Sequence, residues 1–107
     1  VEALTAAVAA GYDVVLTTGG TGLTPMDLTP EMTARVIERP VPGIAEAIRL
    51  NSFTRVPASV LSRGLAGLAG RTLIVNLPGS PGGCQDGLAV LNPVLRHAVD
   101  QINGGDH

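Results

Sequence analysis

Apolar residues recur at helical spacing over residues 2–10, where Ala3, Leu4, Ala7 and Val8 share one face. Gly11 follows as the expected stop just past that helix. Asp13–Leu16 then reads as the body of a strand, reached by the short connection usual in α/β packing. Thr29-Pro30-Glu31 has the form of a helix start. Thr29 can cap, Pro30 suits the first helical position, and Glu31 complements the positive end of the dipole. Met32, Val36 and Ile37 give that helix an apolar side, and Pro40 and Pro42 end it with a bend. A further helix is predicted from about Gly43 to Asn51, with Ile44, Ala47 and Ile48 inward. Pro57 opens a short helical turn through Leu61.

The segment Leu65 to Leu68 fits a strand or a loop, its glycines weakening either. Thr72–Leu77 is continuous and branched, as a strand covered on both faces should be. A turn at Gly70-Arg71 favours a hairpin between these two segments, hence a mixed sheet. The turn Pro78–Gly83 follows, and then a helix with Leu88, Val90 and Leu91 apolar. Asn92-Pro93 is expected to restart it with a cap and a first-position proline. Val94, Leu95, Ala98, Val99 and Ile102 continue the stripe until Gly104-Gly105. The fold class is α/β.

Composition narrows this picture. At 107 residues a single domain with a modest core is expected. Aromatics are only 2% (Tyr12 and Phe53), so the core is aliphatic and stacking platforms for single-stranded nucleic acid are missing. The net charge of −2 with no basic run also weighs against nucleic acid as a partner. All seven basic residues are Arg, which excludes a lysine nucleophile, a Schiff base and a Walker A loop within this chain. The one cysteine, Cys84, forms no internal disulfide and fits a reducing, cytoplasmic setting. No apolar run reaches membrane-spanning length, and no signal peptide is visible. There is no initiator Met and the chain starts inside a helix, so an upstream segment is expected in the natural protein.

Two glycine-rich turns carry the candidate chemistry. After the strand at 13–16 come Thr17, Thr18, Gly19, Gly20, Thr21 and Gly22. After the strand at 72–77 come Pro78, Gly79, Ser80, Pro81, Gly82 and Gly83. A buried strand that opens into a Gly/Thr loop is how α/β proteins present backbone N–H groups to an anion. The first loop is no dinucleotide fingerprint, since Pro25 stands where the third glycine should be. If the two strands are neighbours, both loops open on one edge, and one polyanion bridges them. Asp27 sits beside the first loop, where a carboxylate has reason to hold a counter-cation such as Mg²⁺, with Glu31 a weaker second ligand. As alternatives, Asp27 is a plain turn carboxylate and Glu31 a dipole match. His97 and Cys84 read as structural, and the terminal His107 as disordered. Ser62-Arg63, after an apolar turn, can place one more hydroxyl and one guanidinium near the pocket, although as an isolated dipeptide it carries little meaning.

Thr17-Thr18-Gly19-Gly20-Thr21-Gly22, with Asp27 and Thr29-Pro30-Glu31, resembles the molybdenum cofactor biosynthesis domain family. The likeness is to its molybdopterin adenylyltransferase (MogA/MoaB-like) branch. Leu61-Ser62-Arg63 and Asn76-Leu77-Pro78-Gly79-Ser80-Pro81 resemble the same family in the same order. The resemblance implies a three-layer α/β sandwich with a mostly parallel, mixed sheet, residues 1–107 forming one molybdopterin-binding domain that is N-terminally incomplete. It implies a homotrimer, and transfer of AMP from Mg·ATP to molybdopterin. By resemblance Asp27 is catalytic and binds the metal. Thr18, Gly19, Gly20, Thr21, Gly22, Ser62, Asn76, Pro78, Gly79 and Ser80 hold substrate. Met26 departs from the arginine frequent before that aspartate. Two other readings stay open: a non-catalytic molybdopterin-binding MoaB-like protein, and a CinA-type nucleotide hydrolase domain.

Overall fold

Thr72–Leu77 forms a strand in which every residue is buried, Ile74, Val75 and Leu77 completely. In the computed structural model, which describes residues 1–104, this strand is the centre of the sheet. Numbered in chain order, the strands are β1 (Val14–Thr18), β2 (Arg39–Pro40), β3 (Ala66–Ala69) and β4 (Thr72–Leu77), arranged β1-β4-β3-β2. The sheet is mixed: β1 runs parallel to β4, and β3 is antiparallel to both β4 and β2. The helices are α1 (Glu2–Ala9), α2 (Thr29–Ala34), α3 (Pro42–Phe53) and α4 (Pro81–Ile102), with a 3-10 turn at Pro57–Leu61.

The alternation of β4 sorts the helices into layers. Leu73, Val75 and Leu77 pack with Ala45 and Ile48 of α3 and with Leu91, Leu88 and Leu95 of α4. Ile74 points the other way, into a cluster with Leu4 and Val8 of α1 and with Val36 just after α2. The result is helix, sheet, helix: three layers with β4 in the middle. The hairpin joining β3 to β4 turns on Gly70-Arg71, and Gly70 has φ +59°, the conformation that a two-residue hairpin asks of its first central residue.

Four local expectations are corrected. Thr29 is not a side-chain cap; it lies inside α2, whose N-cap is Leu28, and its N–H donates to the Gly20 carbonyl at 3.1 Å. Arg39-Pro40 is more than a bend. It is a two-residue edge strand, a position where a proline's missing N–H costs nothing. The last helix begins at Pro81 rather than after Gly83, with Ser80 Oγ accepting from the Gly83 N–H at 3.1 Å. It also runs unbroken through Asn92-Pro93. A mid-helix proline costs about 3 kcal/mol, but Leu88, Leu91, Leu95 and Ala98 keep one stripe on the core either side of it. Packing overrides the break. Gly105 and His107 lie outside the described residues.

Gly67 of β3 shows how closely β2 sits: a Cβ there would lie 2.8 Å from the Arg39 carbonyl oxygen and against the Ile37 side chain. Gly67→Ala is expected to destabilise the protein by about 1–3 kcal/mol through overpacking, read as a lowered denaturant midpoint. A wild-type midpoint would show that β2 and the Ile37 segment can move aside.

Candidate functional site

Because β1 and β4 are parallel neighbours, their carboxyl ends leave the sheet side by side. The Gly19 N–H donates to the Leu77 carbonyl at 3.0 Å, extending the ladder by one bond. The two turns then touch. A Cβ on Gly79 would come within 3.0 Å of the Gly19 Cα, so only glycine at this point lets the two backbones approach this closely.

Beyond Gly19 the first loop has a consistent polarity. The carbonyls of Gly20, Thr21 and Gly22 accept, respectively, from Thr29 N–H, Arg63 N–H and Arg63 Nε, the last two at 2.8 Å. The N–H groups of Gly20 and Thr21 carry no hydrogen bond among the described residues. Carbonyls are turned to the protein and amides are left available, the arrangement that suits an anion.

Arg63 enforces this. Its Nη2 donates to the Asp27 carbonyl at 2.5 Å, and Nη1 pairs with Glu31 Oε2 at 2.5 Å. One guanidinium thus ties the loop to α2. The sequence offers the Arg63 guanidinium only as a group near the pocket, not as the tie between loop and helix. The available signal was Glu31, one helical turn past Asp27 and in want of a cation. The Arg63 hydrogen bond holds the Glu31 carboxyl below its usual range. Glu31, expected as a second metal ligand, is instead occupied by Arg63.

Asp27 closes the loop on itself. Its Oδ2 accepts from the Thr24 hydroxyl at 2.8 Å and the Thr24 N–H at 3.0 Å. The hydroxyl, then the N–H, push the Asp27 carboxyl below its ordinary value, with the Gly22 N–H and the Arg63 charge helping against partial desolvation. Asp27 is therefore ionised near neutrality and, at the surface, open to a cation. One carboxylate completed by water and phosphate oxygens is a donor set that Mg²⁺ accepts. Among the described residues, no three His, Cys, Asp or Glu side chains cluster as a metal site.

Asn76 sits under the site and is only 4% exposed. Its Nδ2 donates to Thr17 Oγ1 (2.8 Å) and Thr33 Oγ1 (3.0 Å), and its Oδ1 accepts the Leu65 N–H (3.0 Å). Both of its side-chain donors serve the fold, tying β1, α2 and the approach to β3 beneath the loops.

Next to the two turns lies a cleft of about 540 Å³. Of the residues expected to hold substrate, Thr21, Gly22, Ser62, Pro78 and Ser80 line it. Thr18, Gly19, Gly20, Asn76 and Gly79 do not, and neither do Asp27 and Glu31. Its far wall comes from α3 (Arg49, Ser52), the residue Arg55 just after it and Asp86 near the start of α4, none of which the sequence pattern had marked. At the start of α4, Pro81 has no N–H, while Gly83 and Cys84 donate to Ser80. Gly82 keeps the one first-turn N–H with no partner among the described residues.

The chain belongs to the family described as the probable molybdopterin binding domain, whose model matches residues 1–97. It is 42% identical over 92 residues to a molybdopterin adenylyltransferase of Helicobacter pylori, an alignment covering 86% of this chain and 52% of that protein. It superposes with TM-score 0.93 on a solved structure of the molybdopterin biosynthesis Mog protein from Mycobacterium ulcerans, at 58% identity over 94% of this chain and 66% of that one. A solved structure of MogA gives the same TM-score at 60% identity, covering 94% and 67%. The chain spans about half the length of the curated relative. No described helix is long and apolar enough to cross a membrane.

Two outcomes follow from this wiring. Arg63→Met should lower the unfolding midpoint and speed amide exchange over residues 20–28, with β4 unaffected; equal exchange in both would mean that Arg63 does not hold the loop. The lowered carboxyl of Asp27 works in one direction with pH. The Thr24–Asp27 closure is complete above the ordinary aspartate value of 3.8 and is lost as pH falls through the lower folded value. The Thr24 amide resonance should therefore titrate with a midpoint below 3.8. A midpoint at or above it would show the closure absent in solution.

Proposed function

We propose that the protein containing this chain is a molybdopterin adenylyltransferase, moving AMP from Mg·ATP to molybdopterin. The observation that carries the reading is the polarity of the first loop, with the Gly20, Thr21 and Gly22 carbonyls engaged and the Gly20 and Thr21 amides available, next to the backbone contact of Gly19 with Gly79 in the second turn. The names of the relatives supply the substrates.

The chemistry suits these residues. A phosphate monoester is already anionic at neutral pH, so its oxygen attacks the α-phosphorus without a strong general base. The bond to the β-phosphate oxygen breaks and pyrophosphate leaves with its electron pair. What the protein must supply is alignment and cancellation of like charge. The Gly20 and Thr21 amides, the Thr21 hydroxyl and the Gly82 N–H would orient phosphate oxygens. Asp27 would hold Mg²⁺, which neutralises charge on the transferring phosphates when bound. Asn76 acts from below, keeping the two loops at their spacing. Glu31 acts through Arg63 on loop shape. A homotrimer, a cytoplasmic location and an N-terminal extension of this domain belong to the same proposal.

Asp27 has two tasks, and one substitution separates them. Asp27→Asn keeps an oxygen acceptor for Thr24 and removes the charge. AMP transfer by the full-length protein should fall by about 10²-fold or more, while molybdopterin binding stays near wild type. Lost pterin binding with normal turnover at saturation would refute the role given to Asp27, and a wild-type enzyme that binds pterin without consuming ATP would support a binding-only relative.

A further inference from the structure

Three charged side chains line the cleft: Arg49, Arg55 and Asp86. Two of them cancel. Arg55 Nη2 lies 2.5 Å from Asp86 Oδ1, and Ser52 Oγ donates to Asp86 Oδ2 at 2.9 Å. The Arg55 hydrogen bond, then that of Ser52, keep the Asp86 carboxyl below its usual range, so the pair is ionised and neutral in sum.

Arg49 is different. It projects from α3, half-buried, and its Nη1 donates to two neutral acceptors, the carbonyls of Gly64 (3.0 Å) and Ser62 (3.3 Å). No carboxylate lies within ion-pairing distance of it among the described residues. Its own carbonyl accepts from Ser59 Oγ at 2.8 Å, which fixes the base of the side chain against the 3-10 turn. The residue also borders a smaller apolar groove, lined by Ile37, Pro42 and Leu65, that offers it no acid. The net charge of the cleft wall is therefore +1, on a guanidinium held in place and left with unused donors at Nε and Nη2.

We propose that Arg49 is the fixed cation that holds a phosphate group of the ligand in this cleft. The proposal rests on the adenylyl-transfer reading for the identity of that ligand, not for the presence of an anion site. A half-buried, pre-positioned guanidinium binds phosphate with little ordering cost and is weakly screened. The same cleft presents Thr21, Ser62 and Ser80. The phosphate has two possible sources: the monoester of the pterin, or the nucleotide.

The test is calorimetric binding to the full-length protein of molybdopterin, ATP and inorganic pyrophosphate, each titrated separately at low and high salt. Arg49→Gln should weaken at least one of them by about 10- to 100-fold and flatten its salt dependence. Arg96→Gln on the exposed surface of α4 makes the same change in net charge and should leave affinity unchanged. Loss confined to molybdopterin assigns the monoester; loss confined to ATP assigns the nucleotide. Arg49→Lys keeps the charge without the planar fork and should recover part of the affinity and the full salt dependence. The proposal is overturned if folded Arg49→Gln binds all three like wild type, or loses affinity with undiminished salt dependence, the mark of a prop for residues 62–64. Should the Gln variant not fold, a Lys variant without salt-sensitive binding overturns it equally. Wild-type protein that binds pyrophosphate through Arg49 but neither substrate would sink the adenylyl-transfer reading and leave the anion site standing.

Discussion

The close approach of Gly19 to Gly79 is the constraint on which the rest of the site depends. Two backbones meet where a single methyl group would have to share space with a Cα. That contact exists because β1 and β4 are hydrogen-bonded in parallel and leave the sheet at the same level, Thr18 opposite Leu77. Both glycine-rich turns are hung from it. The first loop turns outward immediately after Gly19, and α4 starts two residues after Gly79. Widening the contact would move the Gly20 and Thr21 amides away from the start of α4, and on the proposed reading would split one anion site into two weaker ones.

Below the contact sits Asn76 and beside it Arg63, and they divide the work by chemistry. A neutral amide can be buried in the sheet layer provided that its donors and acceptor are matched, and those of Asn76 are. A guanidinium would be costly there. At the loop's rim it remains partly solvated and gathers two carbonyls and a carboxylate in one plane. The guanidinium engages the Gly22 carbonyl and the Arg63 backbone N–H the Thr21 carbonyl, so this one residue occupies two of the loop's acceptors while the Gly20 and Thr21 N–H groups are left without a partner among the described residues. On the proposed reading, the loop's preference for an anion would be set by a residue that need never touch the anion.

The hydrophobic pattern carried most of the fold. β4 was legible because an unbroken branched run bounded by turn residues has few other uses, and the hairpin because Gly70 interrupts it. The pairing of β1 with β4 was open until seen, since periodicity describes a strand's faces and not its neighbours. Pro93 misled for a physical reason: local preference argued for a break, and the core stripe on either side of it was stronger. Arg39-Pro40 was too short to show alternation. In the site, glycines and threonines announced themselves by composition. Arg63, Arg49 and Asp86 did not, because an arginine's meaning lies in which carbonyls and carboxylates surround it, and those come from residues up to 41 positions away.

The charges of the site are arranged in opposition. Asp27, held ionised by Thr24, stands outside the cleft, and Arg49, without an acid of its own, stands within it. A ligand carrying several phosphates is attracted by Arg49 and repelled by Asp27 unless a cation comes with it. On the proposed reading such a pair would select the metal-bound form of a polyanion over the bare one: the cation would satisfy the carboxylate while the remaining negative charge met the guanidinium. With the Arg63–Glu31 and Arg55–Asp86 pairs each neutral, the sign of the field across the loops is left to those two residues. Adenylyl transfer as proposed needs no base that titrates near neutrality, and the carboxylates beside the first loop, Asp27 and Glu31, are both held below their ordinary range. On that proposal the chemistry would be displacement between groups that are already charged, with the protein acting through position and electrostatics.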